Sequence, residues 1–550
     1  MSRCFVFLLI VPMILGAVNQ PAPSVTGVQN AASNIPAGYP ASGIAQGSIF
    51  TVYGSSLGPA TCNQAFAFPV PATMCGVSAT VTVNGTSVAP LLLGVYNGNL
   101  QGGFAQINAI LPSLTPTGNG TIAVTYNNQT SAAFPIQVVT AAFGTFTPNY
   151  GYGQASVTDV NYSLNTIIHT LHPGDIGILW GTGLGPITQS DAIQPPFGNV
   201  GSPTVYVGNT ALTTSPGILY AGRSGSWPGL DQINFTVPQG VQGCYVPIAV
   251  QVGGVVSNVG TIAVAAAGQS TCSDSPLGQT LLAKLAAGNN VSFGYLQLQS
   301  INLTFSGLTF TGSAGNGDYA YATFSGFTPQ TAYQAEYGVS SGYCVSDVQA
   351  NPEDLSPAQL DAGSALSLQG PLVAPPIPQY FPGSGGYGVF LAASGKFLYS
   401  DYHYTMTGMG GAKVGAFSVT ETSSLPSAKL TGLNGQSFPR SSDLTIQWNG
   451  GSTSLRNAPT TIGGASFNSD GTVGTEFQCT APAGATTFTV PSWILSTLPP
   501  TGSVTSGSET IPRGYIWIGQ YNTPTTFTAP GLDLGIMTDI FFQGAIIYFQ

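Results

Sequence analysis

Gly47 to Pro59 read GSIFTVYGSSLGP, and Gly174 to Pro186 read GDIGILWGTGLGP. Gly47/Gly174, Gly54/Gly181, Leu57/Leu184, Gly58/Gly185 and Pro59/Pro186 fall into register at a shift of 127. Each copy is followed by the same punctuation. A β-run and a two-residue turn come next, Val81-Thr82-Val83 with Asn84-Gly85, and Val205-Tyr206-Val207 with Gly208-Asn209. Gln106-Ile107-Asn108 ending at Pro112 answers Gln232-Ile233-Asn234 ending at Pro238, and a last hairpin turns at Asn127-Asn128 and at Gly253-Gly254. Asn-Gly and Gly-Gly between β-branched runs are signals for type I′ hairpins, because both central residues need positive φ. The chain therefore uses one β-scaffold twice.

Composition extends that reading to the rest of the 550 residues. Only 5% are charged, against about 25% in an ordinary globular domain, and Gly and Pro number 73 and 41. Short strands rich in β-branched and aromatic residues with frequent turns are the mark of an all-β protein. A hydrophobic content of 43% is enough to build cores rather than a disordered chain. Lys and Arg total 9 and the formal net charge is -10. With no basic stripe to neutralise phosphates, nucleic acid and anionic membrane surfaces are excluded as partners.

Residues 1–17 read as a signal peptide: Arg3, an apolar run from Cys4 to Leu15, then Gly16-Ala17 at a cleavage point. The mature chain is expected to be secreted or held at the cell surface, with no transmembrane span. Six cysteines remain after cleavage, Cys62, Cys75, Cys244, Cys272, Cys344 and Cys479. An even number in an oxidising compartment points to disulfides. Sequence proximity and domain membership favour Cys62 with Cys75, Cys244 with Cys272, and Cys344 with Cys479. No two are spaced as a zinc knuckle, so neither a metal nor a cofactor is expected.

Taken in order, the chain divides into immunoglobulin-like β-sandwiches at 24–140 and 141–267, a connecting helix at 274–288, a β-rich domain at 289–420 and a C-terminal β-sandwich at 421–550. Asp274 or Ser275 would cap the helix, Pro276 would open it, and Leu277, Leu281, Leu282 and Leu285 would form its buried face.

In the second repeat, Gly153-Gln154-Ala155, Pro173-Gly174-Asp175, the Gly181 to Pro186 motif, Pro228-Gly229-Leu230 before Gln232-Ile233-Asn234, and Val252-Gly253-Gly254 with Ser257-Asn258 occur together. This combination resembles a family of secreted-protein domains abundant in acidobacteria, similar to the IPT/TIG immunoglobulin-like domains and without an assigned function. The first repeat shares less of it, lacking the Pro-Gly-Leu lead-in. The resemblance implies a fold and an exported setting, and it supplies no catalytic residue.

Candidate chemistry is sparse. Gly54-Ser55-Ser56-Leu57-Gly58 and Gly338-Val339-Ser340-Ser341-Gly342 match the nucleophile-elbow pattern, but the elbow needs a strand-to-helix turn in an α/β sheet, and Gly183 stands where Ser56 stands. His169, His172 and His403 show no metal-site spacing. Asn468-Ser469-Asp470-Gly471 reads as a hairpin turn, since the twelfth position of a calcium loop would be Phe477. The carboxylates Asp318, Glu336, Asp347, Glu353 and Asp354 are the nearest supply for hydrolysis. On a continuous strand, Phe397, Tyr399 and His403 would share one face and Leu398, Tyr402 and Tyr404 the other, making Tyr399, Tyr402 and Tyr404 the candidate ligand-binding residues, with Tyr380, Phe381, Tyr387 and Phe390 upstream. Exposed rings of this kind stack on sugars; the other reading, which the pattern favours, is that these rows fill a sandwich core and its polar edge. The sequence thus points to an exported, non-catalytic scaffold for adhesion or protein interaction at the cell surface. Its alternatives are carbohydrate binding through residues 380–404 and hydrolysis of an unrecognised type.

Overall fold

The computed structural model describes residues 21–97, 105–303, 316–331, 338–348, 357–379, 386–393, 395–423, 428–449, 459–506 and 509–550. The expected signal peptide lies outside them, as do Tyr380, Phe381, Glu336, Glu353 and Asp354. The protein is all-β, built of sandwiches. Alternation drives the strands: in Val77–Val83, Val77, Ala79, Val81 and Val83 are buried while the residues between them are not.

In the first repeat, a sheet ordered Ser24–Asn30, Ile49–Ser55, Ala105–Ile110, Leu91–Asn97 faces a second sheet centred on Gly118–Tyr126 and Val77–Val83. The second repeat follows the same plan. Gly144–Thr145, Ile176–Thr182, Asp231–Thr236 and Ile218–Arg223 form one sheet, and Thr204–Val207 and Gly243–Val252 lead the other. The duplicated stretch supplies the matching central strands Ile49–Ser55 and Ile176–Thr182. Each ends in a residue with positive φ, Ser56 at 53° and Gly183 at 108°, and then buries Leu57 or Leu184 completely. Asn84-Gly85, Asn127-Asn128 and Gly253-Gly254 all take positive φ at both positions, as type I′ turns require.

The connecting helix is Gly278–Ala286, shorter than the span 274–288, and Leu281, Leu282 and Leu285 are its buried residues. Leu277 is buried just before it. Neither Asp274 nor Ser275 caps it. Asp274 Oδ1 instead accepts from the Cys244 backbone N–H at 2.6 Å, and the Ser275 hydroxyl oxygen accepts from the Leu277 N–H at 3.3 Å. Tying the acid to the disulfide-linked strand delays the helix by a turn.

Beyond the helix, one sheet dominates. Its path runs Cys344–Val348, Gly474–Ala481, Thr460–Phe467, Gly514–Tyr521, Leu534–Phe549, Val291–Leu303, Gly317–Phe327. The strand just after the helix, Val291–Leu303, pairs in parallel with the strand that closes the chain, Leu534–Phe549. Segments 289–420 and 421–550 are therefore joined by continuous hydrogen bonding. Two smaller sheets pack on this large one, led by His403–Gly408 with Phe417–Thr422 and by Leu444–Asn449 with Thr487–Val490, and each closes its own core. A single-turn helix, Ser492–Leu495, buries Trp493, Ile494 and Leu495. Three disulfides join Cys62 to Cys75, Cys244 to Cys272 and Cys344 to Cys479. Among the described residues no helix is long and apolar enough to cross a membrane.

Candidate binding surfaces

The two copies of the duplicated stretch meet at the joint between the repeats, on a residue that motif searching passes over. Arg223, only 1% exposed, ends the strand Ile218–Arg223 and pairs with Asp231, which is fully buried. Its Nη2 donates to the carbonyl of Gly185 at 2.8 Å and to that of Gly47 at 3.2 Å, so it holds the second motif and the first together. Asp231 Oδ2 accepts from the N–H groups of Gly183 at 2.7 Å and Leu184 at 2.8 Å. Burial pushes the Asp231 carboxyl up, against the pull of Arg223 and these two N–H groups. Among the described residues it is the one ion pair with both partners buried. Around it, Thr182 Oγ1 accepts from Ile49 N at 2.8 Å, Asn30 Nδ2 donates to Thr182 O at 3.2 Å, and Ser113 donates from N and Oγ to Asp191 at 2.6 and 2.9 Å.

The third unit is tied in as well. Tyr39 of the first repeat accepts at its hydroxyl from Gly474 N at 3.1 Å, and Asn209 Nδ2 of the second donates to Gly342 O at 2.8 Å. Ser340, buried at 2%, accepts from Tyr245 N at 2.9 Å, so the second elbow-like serine is an anchor. Ser56, the first, sits in a turn followed by chain without helix.

The tyrosine run differs from the expected strand. The strand His403–Gly408 begins only at His403, and residues 397–402 form a loop. Asp318 dictates this. Fully buried, it accepts from the backbone N–H groups of Gly395, Lys396, Phe397 and Leu398 at 2.8 to 3.0 Å and from Ser300 Oγ at 2.6 Å. A carboxyl group that accepts from four backbone N–H groups curls the backbone around itself, which leaves no straight pleat. Tyr404 is a correction: it is fully buried, donates to Phe397 O at 2.9 Å and accepts from Tyr399 N at 2.8 Å, with its hydroxyl pushed up to about 12 chiefly by burial. It offers no ring to a ligand. Tyr399 and Tyr402 are exposed, yet their rings lie 5.7 Å apart and inclined by 56°, so they make no flat platform together.

The histidines are held structurally. His169 lies 3.3 Å from Asp159, and His172 contacts Asp175 at 3.1 Å and the Gln269 carbonyl at 2.8 Å, which raises its pKa, the carbonyl contributing most. His403 Nδ1 meets Thr422 Oγ1 at 2.9 Å. Asn468 to Gly471 connects Thr460–Phe467 with Gly474–Ala481, and Asp470 Oδ1 accepts from Thr472 N and Oγ1 at 2.8 and 2.6 Å, a hairpin closed on itself.

Two carboxyl pairs remain. Strand pairing sets Asp347 opposite Glu476, whose Oε1 accepts from the Tyr515 hydroxyl at 2.9 Å; burial raises the Glu476 pKa. Glu421 and Asp539, 1% and 2% exposed, lie between the large sheet and the His403–Gly408 sheet. Asn522 Nδ2 donates to Glu421 at 2.9 Å and Ser423 Oγ to Asp539 at 2.5 Å. Burial, reinforced by Asp539, pushes the Glu421 carboxyl up to about 7.

No family model and no curated protein matches the chain. Among solved structures it is similar to domains 5-6 of the S-layer protein SbsC, at 14% identity over 44% of this chain and 99% of that one, with a TM-score of 0.17. Domains 4-9 of SbsC match at 10% identity over 93% and 83%, with a TM-score of 0.18. A titin fragment matches at 8% identity over 71% and 93%, with a TM-score of 0.14. At such scores these likenesses add nothing to the architecture already read from the strands.

Proposed function

We propose that the chain is an exported, non-catalytic scaffold that works by binding a partner at the cell surface, and that its two N-terminal sandwiches belong to the secreted family their motifs resemble. The observation that carries this reading is the joint at Arg223. A buried guanidinium that bonds both copies of the motif fixes two domains as one rigid body, and a rigid body presents a composite surface without an ordering cost on binding. Three disulfides suit an extracytoplasmic setting. The test is binding of the labelled mature chain, starting at Val18, to whole cells and isolated envelopes. Saturable retention supports the scaffold; no retention on any surface removes it. N-terminal sequencing of the exported protein should begin near Val18.

Hydrolysis is a second reading favoured by one observation, Asp347 opposite Glu476 with Tyr515 donating to it. Release of reducing ends from polysaccharides, abolished by Glu476→Gln, would support it.

A further inference from the structure

The loop closed by Cys62–Cys75 lies against the second repeat: Val70 N donates to Ala192 O at 2.7 Å. Around this contact the two repeats bring aromatic rings into solvent. Phe68 is 41% exposed, Trp227 47% and Phe197 77%. The rings are fixed rather than loose. Phe66 packs edge-on against Trp227 at 4.7 Å and 83° and against Phe68 at 6.1 Å and 80°. Phe197 lies on the backbone of Gly225, so close that a Cβ there would meet its ring. Gln194 Nε2 donates to Gly225 O at 3.1 Å and binds the two loops together.

Charge decides what such a surface takes. Segments 60–72, 192–200 and 224–230 contain no charged residue. The nearest acid, Asp191, is occupied by Ser113, and Arg223 is buried in its ion pair. With no base in these segments, the surface offers nothing to pair with uronic acids, phosphates or anionic lipids. Exposed aromatic faces held among uncharged loops match the apolar C–H faces of pyranose rings. Rings contributed by three separate loops offer more than one place for a sugar to stack. We infer that the aromatic surface at the joint of the two repeats, centred on Trp227, Phe197 and Phe68, is a binding site for a neutral polysaccharide. The inference rests on the scaffold reading and names its ligand class.

The test is affinity electrophoresis of the mature chain in gels containing mixed-linkage β-glucan, xylan or mannan, with polygalacturonate as the acidic control. Retardation by at least one neutral polymer is expected, weakened about tenfold in Trp227→Ala and in Phe197→Ala and unchanged in Tyr402→Ala. Both altered rings are exposed, and an unshifted thermal midpoint checks that the variants are folded. The proposal is overturned if no neutral polymer retards the chain, if polygalacturonate retards it more strongly, or if both ring variants bind like the parent. The cell-binding assay separates the two levels. Surface binding without glycan binding means that the ligand class is wrong and the scaffold stands, whereas loss of both removes both.

Discussion

The first and second repeats carry the same backbone and close it with different side chains. In the first, Asn97 ends the strand opposite Ala105 and its Nδ2 donates to the carbonyl of Gly58. In the second, Arg223 ends the matching strand opposite Asp231 and donates to the carbonyl of Gly185, the counterpart of Gly58. The side-chain bond from Gln106 to Asn108 recurs from Gln232 to Asn234, both at 2.7 Å. What changes is reach: the amide stops at its own motif, whereas the guanidinium continues to Gly47 of the other repeat. An internal latch has become a joint between domains, and the acid that the longer side chain needs stands where the first repeat has alanine.

Breaking that joint should have the largest effect. Arg223→Ala leaves the Asp231 carboxylate buried without its partner, and a loss of about 3–5 kcal/mol is expected in denaturant unfolding. The scattering radius should rise slightly as the joint loosens, the bonds from Asn30, Ile49 and Ser113 remaining. Changing Arg223→Asn together with Asp231→Ala copies the first repeat's solution into the second. The double variant should be less destabilised than Arg223→Ala, because no charge is stranded, while the joint still loosens. A double variant no more stable than the single one would show that the ion pair is not what the second repeat depends on.

The third unit sharpens the contrast, since it buries two carboxyl groups close together, with Asn522 donating to Glu421 and Ser423 to Asp539. A carboxyl whose pKa is about 7 folded and 4.5 ordinarily holds its proton more tightly in the folded state. Its contribution to stability is therefore present at low pH and lost as pH rises from about 4.5 to about 7. The change is about 3 kcal/mol, seen as a falling thermal midpoint, and Glu421→Gln should flatten it. Unchanged pH dependence in Glu421→Gln would place the titrating group elsewhere.

Gly183 and Ser56 test whether the repeats are equivalent at the turn. A Cβ on Gly183 would press on the carbonyl oxygen of Ala142, in the link between the repeats, and its φ of 108° strains any side chain. Gly183→Ser should cost about 2–3 kcal/mol, whereas Ser56→Gly should stay within about 0.5 kcal/mol. Equal effects would mean that the link does not pack on the turn.

Much of this architecture was legible. The repeat, the β class and the type I′ turns are local: they follow from two-residue signals and period-two alternation, and the cysteines pair in the order in which they occur along the chain. The joint was not legible, because Arg223 looks ordinary until it is aligned with Asn97; a scarce base opposite an acid, in a chain with so few charges, was the available signal. The helix start was displaced because Asp274 found a partner on a strand thirty residues away. The continuous C-terminal sheet depends on Val291–Leu303 meeting Leu534–Phe549, a pairing across the whole region that no local pattern encodes. The bend at residues 397–402 was hidden in the same way, since Asp318 reaches it from a distant strand.

The loss of a single neutral hydrogen bond is the most discriminating change. Asn97→Ala removes the bond to Gly58 and nothing that reaches the second repeat, so about 1 kcal/mol should be lost in unfolding. The joint should survive, because Gly47 is held by Arg223 from the other side. Scattering radius and protease sensitivity should therefore match the parent while stability falls slightly, the reverse of the pattern expected for the double variant at Arg223 and Asp231. If Asn97→Ala instead loosened the joint, the first repeat's own closure would be part of the interface, and the division between internal latch and inter-domain joint would fail.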